Sequence, residues 1–417
     1  MGPLEPRAAS TTTRTRAPRV PAAQRRDEIL RTAARLFQQW GYGGVGIDDI
    51  GAEIGISGPA IYRHFSGKES LLAEIGLQFL DSMVAVSEAA IADTDSDVST
   101  LSRLVTAAVD LALDRPAELA VCLRSLWYLN EDRLAEVAKR WQALIQAWTP
   151  VIAEVRPDLG ASESSIYVRA SCGLIAGASR AKDKVPHARL VELVSTMVMQ
   201  LVDVRLAPAD IAEFDDSPAV GGWERSSRRE KILGTAITMF RERGFRGVSM
   251  ADIAEAIGVT AGASYRHFES KEDILATAIQ RASERVVLGL SDALAPATSA
   301  AHALDRLLRS YVTICVENSD LIAVSLSELH HVPEAMAKRK ERVRLFNEEW
   351  THCLAVTRSE LSHPEATALV TAITGLVTES VRSRRVGRRP RLGDDLYQLA
   401  HAVLAEPCAG THPTAVI

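Results

Sequence analysis

The chain has 417 residues, 47% hydrophobic and 24% charged, with a formal net charge of −5 at pH 7. That balance is ordinary for a globular protein and excludes a collagenous, low-complexity or wholly disordered chain. Cys122, Cys172, Cys315, Cys353 and Cys408 form no CxxC pair and keep no zinc-ligand spacing, so no disulfide framework, metal or cofactor site is expected, and a reducing cytoplasm is the expected compartment. No secretory leader and no apolar run of membrane-span length is read from the chain, so no membrane partner is expected.

Residues 1–21 are rich in Thr, Pro and Arg and read as a disordered basic arm. Arg14, Arg16 and Arg19 belong either to a minor groove or to a solvated tail. A first helix is expected from near Ala22, because Ile29, Ala33, Leu36 and Phe37 fall on one helical face, and Gly41 ends it. A short second helix, Ile47 to Ile54, follows Gly46, a weak cap without a side-chain oxygen. Gly55 supplies a turn with positive φ. Ser57 is placed to cap a third helix, with Pro59 in its first turn. Ser66-Gly67-Lys68-Glu69 has the spacing of a capping box opening a fourth. From about 75 to 204 the pattern is of amphipathic helices without strands, broken at Asp93–Asp97, Asp114-Arg115-Pro116, Arg156-Pro157-Asp158 and Pro186. Leu206 to Ser227, with Pro208, Pro218, Gly221 and Gly222, reads as a linker.

Then the chain repeats itself. Ile54-Gly55-Ile56-Ser57-Gly58-Pro59-Ala60-Ile61-Tyr62-Arg63-His64-Phe65 returns as Ile257-Gly258-Val259-Thr260-Ala261-Gly262-Ala263-Ser264-Tyr265-Arg266-His267-Phe268, an offset of 203 (257 minus 54). Upstream, Arg26, Ile29, Phe37, Gly41 and Asp49 recur as Arg229, Ile232, Phe240, Gly244 and Asp252; downstream, Lys68-Glu69 recurs as Lys271-Glu272. Ser249 is a better cap than Gly46 at the equivalent place. Ser270-Lys271-Glu272-Asp273 is the counterpart capping box, shifted by one position. The expected fold is all-α, in two tandem units of a three-helix helix-turn-helix domain followed by a helical regulatory domain. The expected boundaries are 22–83 (motif 46–65), 84–205, a linker at 206–224, 225–286 (motif 249–268), 287–405, and a frayed tail at 406–417.

Charge follows the repeat. Residues 14–75 hold nine Lys/Arg against seven Asp/Glu, and so do residues 225–276, so each segment is +2 and the remainder is −9. The positive potential thus sits where DNA would be read. Tyr62 and His64 can donate to phosphate oxygens, and Lys68 stands at a helix N-terminus that already favours an anion. Arg63 is the long donor suited to a guanine edge. Phe65 is expected to turn inward and anchor the segment. One Tyr-Arg-His-Phe string would pass for an ordinary amphipathic helix, whereas two at one spacing point to a duplicated DNA reader.

Residues 247–275, Gly-Val-Ser-Met-Ala-Asp-Ile-Ala-Glu-Ala-Ile-Gly-Val-Thr-Ala-Gly-Ala-Ser-Tyr-Arg-His-Phe-Glu-Ser-Lys-Glu-Asp-Ile-Leu, resemble the N-terminal signature of the TetR family of bacterial repressors. Residues 44–72 are a looser match, with Gly46 for a usual Ser/Thr and Gly51 for a usual alanine, changes expected to soften the second helix. The resemblance implies base contacts at Ser57, Gly58, Pro59, Ala60 and Arg63, then Thr260, Ala261, Gly262, Ala263 and Arg266. It implies phosphate contacts at Tyr62, His64 and Lys68, then Tyr265, His267 and Lys271. Gly46 and Ile47, with Ser249 and Met250, complete the candidate DNA-contact set. It also implies a small-molecule pocket in each regulatory domain and docking through the last two helices. The duplication and Leu126-Trp127-Tyr128-Leu129-Asn130-Glu131-Asp132 resemble two-unit regulators of mycobacterial mammalian-cell-entry (mce) lipid-transport operons, which implies a lipid, acyl thioester or sterol effector.

The halves diverge downstream: Arg124, Trp127 and Tyr128 correspond to Ser327, His330 and His331. Arg124, Trp127, Tyr128 and Trp148 are either packing residues or a pocket for a hydrophobic effector with an acidic group. His330 and His331 are adjacent and poorly placed for one metal. Arg382, Arg384, Arg385, Arg388, Arg389 and Arg391 form a basic run, read as a solvated loop or as a contact to flanking DNA or an acidic partner. The expected function is a DNA-binding regulator, a repressor, gripping a non-palindromic operator as a single-chain pseudo-dimer. An activator, a chain that associates again, and an enzyme using the helical pocket are the alternatives; no catalytic set is recognised for the last.

Overall fold

The computed structural model describes residues 21–94, 98–159, 164–207, 227–383, 386 and 389–405. The basic arm with Arg14, Arg16 and Arg19, nearly all of the linker, the tail with Cys408, and Arg384, Arg385 and Arg388 lie outside the described residues, as do the side chains of Arg124, Trp127 and His330. Among the described residues every regular element is helical.

The first half runs α1 (Ala22–Gly44), α2 (Ile47–Glu53), α3 (Gly58–Ile61), α4 (Lys68–Ala92), α5 (Thr100–Asp114), α6 (Pro116–Arg124), α7 (Glu131–Val155), α8 (Ser164–Ala178) and α9 (His187–Asp203). The second runs α10 (Arg228–Arg243), α11 (Met250–Ala256), α12 (Ala261–Ser264), α13 (Lys271–Leu294), α14 (Ala300–Glu317), α15 (Ser319–Ser327), α16 (Pro333–Thr357), α17 (His363–Arg382) and α18 (Leu392–Leu404). Short 3-10 turns, Leu126–Tyr128 and Leu329–His331, follow α6 and α15. α4 and α13 are the spines of their halves: each begins beside its reader and runs on into its regulatory domain. By length and composition α4 is apolar enough to cross a membrane, contrary to the reading of the sequence. Here its apolar residues, among them Leu71, Leu72, Ile75, Phe79 and Leu80, are buried, and the helix packs on α1, α5, α6 and α7.

Among the described residues the glycines with positive φ are Gly41, Gly55, Gly244 and Gly258, at 68° to 72°. They close the first helix and the helix-turn-helix turn in both halves, in backbone that a side chain would strain. Several caps differ from expectation. Ser57 and Thr260 occupy the cap positions of α3 and α12, but neither side chain bonds there. Gly46 is capped from the other side, its N–H donating to Asp49 Oδ2 at 2.6 Å. Ser66 is not the cap of α4; Gly67 is, and its N–H donates to Ser70 Oγ at 3.1 Å. Ser270 does cap α13, accepting from the Asp273 N–H at 3.2 Å.

The halves meet along α8 and α17, with α9 against α18 beside them. Gly173 and Gly375 face each other at the crossing: a Cβ on Gly173 would lie 2.6 Å from the Gly375 carbonyl, and one on Gly375 2.3 Å from the Gly173 carbonyl. A Cβ on Gly177 would lie 2.0 Å from the Thr371 carbonyl. Backbone therefore packs directly on backbone. Gly173 and Gly375 are themselves equivalent, at an offset of 202 (375 minus 173) after a one-residue slip in the repeat. Arg189 of α9 reaches Glu365 of α17 at 2.6 Å. Arg382 and Glu379 form a buried pair at 2.8 Å. Such a pair contributes little net stability, and its loss by halves is costly, so it favours one packing over others.

Candidate nucleic-acid interface and effector cavity

Each reader is built on an apolar footing. Ile50, Ile61 and Phe65 are buried in the first; Ile253, Ser264 and Phe268 are buried at the same places in the second. That footing turns the polar side chains outward. Tyr62 and Tyr265 are 57% and 53% exposed, unusual for tyrosine. Arg63, Arg266 and His267 are exposed and His64 is half-buried. Ser57, Pro59, Thr260 and Gly262 are exposed beside them, Ala60, Ala261 and Ala263 are half-buried, and Gly58 is buried, where a Cβ would overlap Asp48.

Three of the nominated contacts are otherwise engaged. Met250 is buried, so its side chain belongs to the core of the second reader and not to its surface. The Lys271 ammonium donates to the Phe245 and Val248 carbonyls at 2.8 and 2.9 Å and lies 4.3 Å from the Phe245 ring centre. Lys68 lies 4.1 Å from the Tyr42 ring centre, and burial together with the nearby Arg246 charge lowers its pKa to about 8. Lys271 thus ties down the loop between α10 and α11, and Lys68 packs on the segment after the Gly41 break in α1. Ile47 packs in part against the core; Gly46 and Ser249 are exposed.

A residue pair that the motif reading passed over holds the recognition segments. Arg26 donates to the His64 carbonyl at 2.7 Å and stacks 4.3 Å from the Phe65 ring centre. Arg229 donates to the His267 carbonyl at 3.3 Å and stacks 4.0 Å from Phe268. Their recurrence in the repeat was the available signal. Gly51 also has a definite role: a Cβ there would lie 2.7 Å from the Ile56 carbonyl, so α2 of the first reader sits closer to its turn than an alanine allows. The second reader has Ala254 at that place. The glycine tightens the packing, contrary to the expected softening.

Tyr128 and Trp148, the described members of the nominated first-half pocket, face different neighbours. Tyr128 stacks on Tyr42 at 4.8 Å, and the Trp148 indole N–H donates to Ser87 Oγ at 3.0 Å. The better cavity lies in the second half. It encloses about 490 Å3 between α13, α14, α15, α16 and α17, with Val286, Val287, Tyr311, Leu326 and Phe346 in its walls. Its physical origin is plain from the repeat. Phe79 and Leu80, fully packed in the first half, are replaced by Ala282 and Ser283, which line the cavity. Arg180, Arg339, Lys340, Arg342 and Arg344 also line it, and among the described residues no carboxylate does. Arg344 is paired with Glu341 and Glu348. The Asn347 side-chain oxygen Oδ1, on the cavity wall, is buried and makes no hydrogen bond among the described residues. Burial raises the Tyr311 hydroxyl pKa well above its ordinary value, keeping it a neutral donor.

Residues 29–75 and 232–278 match the family described as bacterial regulatory proteins, tetR family. The HTH-type transcriptional repressor KstR2 of Mycobacterium tuberculosis is 34% identical over 142 residues, which is 32% of this chain and 71% of that protein. The HTH-type transcriptional activator FasR of Mycolicibacterium smegmatis is 32% identical over 92 residues, 22% of this chain and 42% of that protein. A solved structure, the ketosteroid transcriptional regulator KstR2 of Mycobacterium tuberculosis, aligns with a TM-score of 0.39 at 21% identity, covering 43% of this chain and 95% of that one. These relatives bear the names KstR2 and FasR and not that of an mce-operon regulator, and each spans less than half of this chain.

Proposed function

Because the chain belongs to the tetR family of bacterial regulatory proteins, DNA-binding transcription regulators and not enzymes, we propose that it is a repressor whose two readers grip one operator as a single-chain pseudo-dimer. The observation that carries this reading is the pair of exposed tyrosine-bearing segments, each held by an equivalent arginine and joined through α8 and α17. In this reading Tyr62, His64, Tyr265 and His267 contact phosphate, and Arg63 and Arg266 reach base edges. Gly58-Pro59-Ala60-Ile61 and Ala261-Gly262-Ala263-Ser264 present different surfaces, so the two half-sites differ in sequence.

The effector binds in the second half. Apolar walls ringed by five cationic side chains suit an amphipathic anion such as a fatty acid, an acyl thioester or a sterol acid. Binding acts by favouring a tilt or spacing of the readers that no longer fits adjacent grooves. KstR2 is named a repressor and FasR an activator, so a promoter–reporter assay decides the sign. The direct test is a gel shift on DNA flanking the gene, with a salt titration and a panel of amphipathic anions. Absence of any salt-sensitive shift would refute the DNA-reading claim for this operator region.

A further inference from the structure

We propose that a one-sided clamp between the two readers sets the half-site spacing this protein accepts, with Arg246, Glu328 and Tyr128 as its positioning residues. The proposal rests on the operator-binding reading above.

The clamp is built from positions related by the repeat. In the first half Lys68 lies over the Tyr42 ring, and Tyr42 stacks on Tyr128 at 4.8 Å. In the second half Lys271 lies over Phe245, and Phe245 stacks on His331 at 4.5 Å. Each pair is offset by 203, so the two stacks are copies of one another. They meet at Glu328, which is 2% exposed. The Tyr128 hydroxyl donates to Glu328 Oε2 at 3.3 Å, and His331 Nε2 lies 3.4 Å from the same oxygen. Beside them the Arg246 guanidinium donates to the Gly43 carbonyl. Gly43 and Arg246 are themselves equivalent, at 43 and 246.

The junction cannot be made symmetrically. Glu328 corresponds to Ser125 and Arg246 to Gly43. Two copies of the second half would supply the carboxylate but carry His331 where Tyr128 stands; two copies of the first would supply Tyr128 but neither Glu328 nor Arg246. The Tyr128–Glu328 bond therefore needs one half of each kind, which a single chain guarantees. Their location gives them leverage. Tyr42 and Gly43 lie just past the Gly41 break in α1, and Phe245 and Arg246 in the loop after α10, so the bonds tie reader to reader. Tyr128 and His331 lie in the turns after α6 and α15, which ties the same point to both regulatory domains. One inserted base pair moves a half-site by about 3.4 Å along the axis and about 35° around it, which a fixed pair of readers cannot follow.

The test uses the full chain and duplexes whose half-sites are separated by the native interval, or by one or two base pairs more or fewer. Wild-type protein should lose about a hundred-fold in affinity on a mis-spaced duplex, the low end of what two linked modules gain over one. Arg246→Ala is on an exposed residue and should fold normally; it should cut that penalty to a few-fold while leaving affinity for either isolated half-site unchanged. Glu328→Ala should do the same. A second readout needs no DNA: spin labels at Ala52→Cys and Glu255→Cys, in a Cys172→Ser, Cys408→Ser background that leaves the buried Cys122, Cys315 and Cys353, report the reader-to-reader distance. A narrow distribution in the wild type that broadens in Arg246→Ala supports the clamp. An equally broad distribution in both, or an unchanged spacing penalty, overturns it. A wild-type chain that binds none of the duplexes removes the operator-binding premise and the spacing claim together, and the distance distributions would show that failure to be separate from the clamp itself.

Discussion

Replacing Arg26 tests whether the recognition segment is held in place by its own domain or ordered only by DNA. Arg26→Ala removes a charged hydrogen bond to the His64 carbonyl at 2.7 Å, a ring contact with Phe65 at 4.3 Å, and an ion pair with Glu74 at 3.2 Å. A hydrogen bond from a charged donor contributes roughly 1.5–3 kcal/mol. The ring contact adds about 0.5–1 kcal/mol. The Glu74 pair, with both side chains about a third exposed, adds about 0–1 kcal/mol after screening. The arginine is itself partly exposed, so about 2 kcal/mol is the reasonable total, a factor of about 30 in affinity. That factor is a ceiling, because the loss reaches binding only to the extent that the segment undocks before DNA arrives. Arg229→Ala should cost less, since its carbonyl bond is longer, at 3.3 Å. Fluorescence anisotropy on duplexes with one half-site scrambled separates the readers. Arg26→Ala should weaken only the duplex that keeps the first reader's half-site. Arg26→Lys, which keeps the charge and loses the planar fork, should fall between. Equal losses on both scrambled duplexes, or a lysine variant identical to wild type, would refute the pinning argument and leave only a general charge effect.

Ala282→Phe rebuilds the Phe79 packing of the first half inside the second-half cavity; operator affinity should persist while release by an amphipathic anion is lost, as read by anisotropy with ligand titration. Gly177→Ala should lower the melting temperature more than Gly173→Ala, because its Cβ would lie 2.0 Å rather than 2.6 Å from a carbonyl of α17, and overpacking of this kind costs about 1–3 kcal/mol; calorimetry decides. Lys68 has a folded pKa lowered from 10.5 to about 8 by burial. Between those values the unfolded chain binds more protons, so this group's contribution to stability is full above the unfolded value and is lost as pH falls through the folded one. The melting temperature of wild type should therefore rise relative to Lys68→Met as pH goes from about 7 to about 10, and a flat difference would be fatal to the assignment.

Much of the reader was legible before any coordinates. Helical periodicity, turn glycines and capping chemistry are local, and Gly41, Gly55, Gly244 and Gly258 stand where such signals put them. The duplication was legible too, as one fixed offset along the chain. What the sequence could not disclose was how shared chemistry is divided. Lys68 and Lys271 read as phosphate ligands in a motif; the fold adds an aromatic ring to each and, at Lys271, two carbonyls as well, partners brought near by the packing of a different helix. Trp148 and Tyr128 read as one pocket because they are aromatic and close in sequence, but helix packing sent them to different neighbours. The cavity appeared instead where the second copy has smaller side chains, at Ala282 and Ser283. Local chemistry thus determined the elements and their repetition. The allocation of side chains, and the one-sided junction at Glu328 and Arg246, depended on which surfaces meet when two unequal copies fold against each other; those contacts join residues 200 or more positions apart, beyond the reach of any local signal.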